Sequence, residues 1–330
     1  MEGVKLAERI FTIGSRSEFC DLVMEFFRFQ YKNCVVYREF ADALSRNPGN
    51  VRQPEDIPFI PVEFYKSQEI ICSGMKPVRE FQSSGTTGSA PGRHLLANPL
   101  LYDSSLLKGF SHAYGDPAGY TFLSLTPRPD ENPHSSLIYM ISKLMQQNPI
   151  LPHGFFLNDP ESLLLHLTDP SVSSGKTILI GLTWAILDFG EKYPGDYPGL
   201  VVMETGGMKG RRKEITRAEL HERLKEVFSS AGIHSEYGMT ELLSQAWSKQ
   251  EGIFRTPPWM KVMVREVNDP FCWCSPGRTG GISIIDLANV YSCSFIATQD
   301  LGRVREDGSF EVLGRFDSSD LRGCSLMIQE

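Results

Sequence analysis

Phe19, Leu22, Val23, Phe26 and Phe27 recur at the three- and four-residue spacing of a single helix face. Ser15-Arg16-Ser17-Glu18 stands just before them in the form of a capping box, with Glu three residues after Ser. A helix is expected from this point, and its aromatic stripe reads as core packing. A second helix is expected over 36–44, stopped by Asn47-Pro48-Gly49. Pro54, Pro58 and Pro61 then mark an irregular connector.

Further along, strand-like and helix-like runs alternate. Strands are expected at 120–125, 177–182, 200–204 and 233–237. Helices are expected at 98–114, 136–145, 184–193 and from the capping box Thr216-Arg217-Ala218-Glu219 to 230. Leu220, Leu224 and Val227 line one face of the last. This alternation predicts an α/β fold with a largely parallel sheet covered by helices. The character changes near Pro257. Segments 261–267, 281–286, 295–298 and 309–313 are strand-like, and Asp307-Gly308 is a hairpin signal. The expected division is an α/β core over 1–256 and a smaller β-rich subdomain over 257–330.

Between a short extended segment at 78–81 and the helix at 98–114 lies Ser83-Ser84-Gly85-Thr86-Thr87-Gly88-Ser89-Ala90-Pro91-Gly92-Arg93-His94. Such a run makes a poor helix and a poor strand. It has the composition of a flexible surface loop. It also has the composition of a phosphate cradle, because glycines let backbone N–H groups approach an anion and the hydroxyls add donors. It is not the Walker type, which requires Gly-Lys-Ser or Gly-Lys-Thr at a fixed spacing. Far downstream stands Glu236-Tyr237-Gly238-Met239-Thr240-Glu241. A Thr and a Glu at the start of a helix would face one anion–metal site; as helix caps they would face only water.

Composition narrows the function classes. The chain has 330 residues, 41% of them hydrophobic, and a net charge of −7. That charge and the lack of any Lys/Arg block argue against a nucleic-acid partner. The longest apolar run, 177–190, contains Asp188 and is too short to span a bilayer. The beginning of the sequence lacks the apolar stretch of a secretory signal. The seven cysteines are scattered and odd in number, which fits a reducing compartment, and a cytoplasmic location is expected. Cys272-Trp273-Cys274 lacks a second close Cys/His pair to complete a zinc set.

The two motifs, in this order, resemble the signature pair of the adenylate-forming superfamily. That superfamily includes acyl- and aryl-CoA ligases, peptide-synthetase adenylation domains and luciferases. The resemblance implies ATP and Mg²⁺. It assigns Ser83, Ser84, Gly85, Thr86, Thr87 and Gly88 to the phosphates, with Arg93 as the nearby cation where the superfamily usually has Lys. It places Gly206 and Gly207, after the 200–204 strand, at the adenine. It places Tyr237 against the adenine beside Gly238, Thr240 on the α-phosphate and Glu241 on Mg²⁺. Asp300, in Thr298-Gln299-Asp300-Leu301-Gly302, resembles the residue that grips both ribose hydroxyls. Arg315, in Gly314-Arg315-Phe316-Asp317, resembles the arginine that also reaches the ribose beside a hinge.

Large superfamily members continue past that hinge into a mobile domain with a catalytic lysine. This sequence runs only to Glu330, and such a lid is expected to be absent. One branch is similar over essentially the whole chain: the acyl-protein synthetase family, LuxE-like in bioluminescence systems. The similarity rests on 83–88, 205–211, 236–247 and 317–327. It implies ATP-dependent activation of a fatty acid as acyl-AMP and transfer to a cysteine near the carboxyl end, here Cys324. An acyl reductase partner would then take the acyl group. The region 120–145 is expected to supply the acyl pocket. Two other readings stay open, a compact carboxylate–CoA ligase and a non-catalytic nucleotide-binding subunit.

Overall fold

The computed structural model describes residues 2–83, 90–169, 176–208, 210–213 and 215–316. In chain order its strands begin with β1 (Ile60–Pro61), β2 (Arg79–Gln82) and β3 (Arg93–Leu96). Next come β4 (Tyr120–Leu125), β5 (Gly154–Phe155), β6 (Lys176–Leu182), β7 (Gly195–Asp196) and β8 (Leu200–Thr205). They continue with β9 (Phe228–Ser229), β10 (Gly232–Tyr237), β11 (Ala246–Ser248) and β12 (Ile253–Phe254). The last four are β13 (Met260–Arg265), β14 (Gly280–Asp286), β15 (Phe295–Val304) and β16 (Phe310–Arg315).

One six-stranded sheet has the order β11-β10-β8-β6-β4-β5. Its pairs are parallel except β10 with β11. Strands buried on both faces read as near-continuous apolar runs, and helices cover them on each side. Side chains alternate between those faces. Phe122, Ile178, Ile180 and Met203 join the core that contains Phe110 and Met140 of helices Pro99–Tyr114 and Ser136–Met145. Leu123, Leu179 and Val202 join the opposite core, with Ile186 and Leu224 of helices Thr183–Lys192 and Arg217–Val227.

The second six-stranded sheet runs β12-β16-β15-β14-β13, antiparallel throughout, and β1 adds to β15 in parallel at Ile60↔Ile296. It therefore takes strands from 60–61 and 253–254 as well as from the carboxyl-terminal segment. Helix Arg16–Asn33 packs behind it. Ser15 Oγ accepts from Glu18 N at 3.2 Å, as the capping box predicts, and the whole Phe19–Phe27 stripe is buried. Gln30 fastens that helix to the sheet. Its amide nitrogen donates to the Asn289 carbonyl at 2.9 Å, and its amide oxygen accepts from Ser294 N at 2.9 Å.

Two expectations from sequence need correction. The Gly/Ser/Thr run does not connect a strand to a helix. It connects β2 to the antiparallel β3, paired from Arg79↔Leu96 to Gln82↔Arg93. Arg93-His94-Leu95-Leu96 is too short an extended run to register as a strand by periodicity. Nor do Thr240 and Glu241 open a helix. They lie in a turn between β10 and β11. The buried carboxylate of Asp286 captures the next backbone amides, Leu243 N at 2.8 Å and Ser244 N at 2.9 Å. Those N–H groups pair with the Asp286 carboxylate, and the segment runs to β11 without forming a helix.

Candidate active site

Four distant segments meet at the carboxyl ends of β8 and β10. The first is the β2–β3 hairpin. Ser83 N donates to the Gly92 carbonyl at 2.9 Å, and Gly92 N donates to Ser83 Oγ at 2.8 Å, which closes the base of the loop. Ser84, Gly85, Thr86, Thr87 and Gly88 lie outside the described residues. Gly92 stands against the carboxyl of Glu241: a Cβ there would meet Glu241 Oε1 at 2.7 Å and Ser83 Oγ at 3.2 Å. Only glycine permits that approach without displacement.

The second segment is the Thr240–Glu241 turn. His94, two residues past Gly92 and on the same face of β3, holds it. His94 Nδ1 donates to the Thr240 carbonyl at 2.8 Å, and its Nε2 lies 3.0 Å from Ser292 Oγ. The carbonyl can only accept, so the ring carries its proton on Nδ1 and Nε2 accepts from the serine. Burial pulls the His94 pKa down to about 4, leaving the ring neutral near pH 7. Asn289 Nδ2 donates to the Glu241 carbonyl at 2.9 Å. Glu241 is 6% exposed, and burial pushes its pKa up to about 7 against the pull of Arg315 and Lys66.

Tyr237, Asp300 and Arg315 form the third group. Asp300 and Arg315 face each other across β15 and β16. The Tyr237 hydroxyl donates to Asp300 Oδ2 at 2.8 Å and Arg315 Nε donates to Oδ1 at 3.2 Å. Each carboxylate oxygen retains a free lone pair. The Arg315 side chain is 72% exposed, whereas Tyr237 is buried, its ring packed against Phe254 and Phe310. In this arrangement Tyr237 orients Asp300, and its ring is enclosed in an aromatic cluster.

Gly206 and Gly207 make the fourth group, exposed at the end of β8, with Gly206 at φ 75°. The Thr183 hydroxyl stands 3.1 Å from the Gly206 carbonyl and 3.0 Å from Glu204 Oε2. Arg93 stays out of the cluster. Alternation along β3 turns it away from the face of Gly92 and His94, toward Glu69 at 3.2 Å and Glu80 at 3.8 Å. Asp317 and Cys324 lie outside the described residues.

Beneath the cluster, two carboxylates on neighbouring strands behave in opposite ways. The register Ser235↔Glu204 and Glu236↔Thr205 sends Glu204 to one face of the sheet and Glu236 to the other. Burial pushes the Glu204 pKa up, but Arg217, His221 and Ser235 outweigh it and hold the group below the usual carboxylate range. Burial, with the nearby Glu204 charge, pushes the Glu236 pKa up to about 7 against the Thr205 hydroxyl and the weaker pull of Arg217. Sequence pattern gave no signal for His94, Asp286 or Glu236 as a buried acid, because their partners are remote in the chain.

The Glu236 shift carries a testable sign. Its folded pKa lies above the unfolded value of about 4.5, so its contribution to stability is full below that value and is lost as pH rises through about 7. Glu236→Gln removes this dependence. Relative to wild type, the variant should gain up to about 3 kcal/mol between pH 5 and pH 8. Urea midpoints at the two pH values measure it, and parallel wild-type and variant profiles would refute it.

No family model matches the chain. A curated relative, the long-chain-fatty-acid–luciferin-component ligase of Vibrio harveyi, is 25% identical over 335 aligned positions, covering 94% of this chain and 86% of that protein. Among solved structures, a 2-hydroxyisobutyryl-CoA ligase in complex with 2-HIB-AMP and CoA matches 94% of this chain and 71% of its own, with a TM-score of 0.67 and 12% identity. ATP-bound MatB from Rhodopseudomonas palustris matches 72% of this chain with a TM-score of 0.52 and 17% identity; the match spans about half of that protein, 47%. The chain has the adenylate-forming fold, with its parallel sheet, covering helices and antiparallel second sheet. The likeness to the acyl-protein synthetases, first carried by the motifs, extends over nearly the whole chain.

Proposed function

We propose that this chain, a relative of the luciferin-component ligases over 94% of its length, is an ATP-dependent ligase that activates a long-chain fatty acid as its acyl adenylate. It then passes the acyl group to a protein thiol, that of Cys324, for delivery to an acyl reductase. The observation that carries the reading is the convergence of Ser83 and Gly92, Thr240–Glu241, and Tyr237 with Asp300 and Arg315 at one end of a sheet.

In the first half-reaction a carboxylate oxygen of the acid attacks the α-phosphorus of ATP. The bond to the β-phosphate breaks and pyrophosphate leaves. Asp300 and Arg315 hold the ribose by the lone pairs and N–H groups left free. Gly92 and Ser83 face the phosphates, and Gly206–Gly207 leave the end of β8 open for the base. Mg²⁺ fits the chemistry of Glu241, a buried carboxyl that meets no close cation among the described residues, since this ion takes one or two carboxylates and completes its shell with phosphates and water. Bound there, it would screen phosphate charge. In the second half-reaction the thiolate attacks the acyl carbon and AMP leaves, with the thiol proton passing to solvent. No helix among the described residues is long and apolar enough to cross a membrane.

Carboxylate-dependent ATP–pyrophosphate exchange over a panel of acids tests the first half. Long aliphatic acids should exchange best, since each buried CH₂ contributes about 0.8 kcal/mol. An ATP-dependent, hydroxylamine-labile acyl label on the protein tests the second half, and Cys324→Ser should abolish it. A label that persists in that variant moves the nucleophile elsewhere. Release of acyl-CoA in place of a protein label would favour a CoA ligase.

A further inference from the structure

The short helix Phe64–Ser67 touches both halves of the nucleotide site. Glu63, just before it, accepts a hydrogen bond from Gln299, the neighbour of Asp300. The Tyr65 ring stands edge-on to His94 at 5.5 Å, and Tyr65 Cβ lies 3.8 Å from the position of a Cβ on Gly92. Lys66 follows directly, its backbone N–H donating to the Glu63 carbonyl at 2.9 Å. Its side chain is exposed and makes no ion pair among the described residues. Two cations act on the Glu241 carboxyl, Arg315 first and Lys66 after it. Arg315 is engaged by Asp300, and Arg93 by Glu69 and Glu80. Among the described residues, Lys66 is the cation left at the mouth of the site with its charge uncommitted.

We propose that Lys66 binds the phosphate oxygens of ATP between Gly92 and Glu241, the task that loop position alone would give to Arg93. The inference rests on the adenylation reading and adds a phosphate ligand from outside both sequence motifs. An ammonium on a flexible four-carbon stem can follow the phosphates as they separate. When the α–β bond breaks, negative charge grows on the departing pyrophosphate, and a cation beside it stabilises it most at that moment. The contact is electrostatic, so no proton moves and no covalent bond to Lys66 forms.

The test compares Lys66→Met, Lys66→Arg and Arg93→Met in the full chain. Equilibrium titration with ATP and with AMP gives affinities, and pyrophosphate exchange gives kcat and KM for ATP. Lys66→Met should weaken ATP by about tenfold or more and AMP by less than about threefold. It should lower exchange kcat/KM by about thirtyfold or more. Lys66→Arg should recover most of the loss, because charge is retained, and Arg93→Met should lose less than Lys66→Met. Unchanged ATP affinity in Lys66→Met overturns the proposal, as do equal losses for ATP and AMP or a larger loss in Arg93→Met. A wild-type chain that binds ATP yet exchanges pyrophosphate with no acid defeats the adenylation reading instead. The ATP-versus-AMP comparison then still decides the role of Lys66.

Discussion

Glu241→Gln should leave the protein folded and lower carboxylate-dependent pyrophosphate exchange by about a hundredfold or more. The two side chains have the same shape, and burial pushes the pKa of the wild-type carboxyl up to about 7, toward its neutral form. The amide is the neutral isostere of that form, so the fold should hold. It cannot supply the charge that a cation beside the phosphates requires. The pH profile gives an independent check. Wild-type exchange should rise with pH as Glu241 ionises, while the residual activity of the variant should lack that step. A folded variant with wild-type exchange would remove Glu241 from the site.

Asp300→Ala should raise KM for ATP by about a hundredfold or more, if the proposed hold of this carboxylate on two ribose hydroxyls is lost. A second effect appears without nucleotide. The Tyr237 hydroxyl is buried and donates to Asp300 at 2.8 Å. Stranding it should cost about 1–3 kcal/mol of stability. Tyr237→Phe removes the stranded donor, so Asp300→Ala should cost less in the Tyr237→Phe background. Denaturant unfolding of the two single variants and the double variant measures that coupling. Additive stabilities would break the link between Tyr237 and Asp300, and an unchanged KM would break the link between Asp300 and the ribose.

Much of the fold was legible because its signals are local. Ser15 and Thr216 cap helices as their motifs predict. The apolar runs at 120–125 and 177–182 become β4 and β6 within a residue. The order of the candidate nucleotide residues was legible by resemblance. What stayed hidden depends on long-range contacts. Thr240-Glu241 looks like a helix start until Asp286, more than forty residues on, takes the next amides. Arg93 looks like the loop's cation until strand alternation turns it toward Glu80. Lys66 lies in a proline-marked connector with no periodicity to draw attention to it. The apolar residues of 120–145 are mostly shared among the two cores flanking the parallel sheet.

The fastening of Gln30 to Asn289 and Ser294 also bears on how the chain is made. Those partners are 259 and 264 residues downstream. At about 5–20 residues per second, a ribosome needs roughly 13–53 s to travel from the helix to the segment that covers it. Throughout that interval Phe26 and Phe27, fully buried in the finished protein, have no second sheet to pack against. The nascent chain must therefore carry an exposed aromatic face for most of its synthesis, a binding surface for holdase chaperones and a route to aggregation when they are scarce.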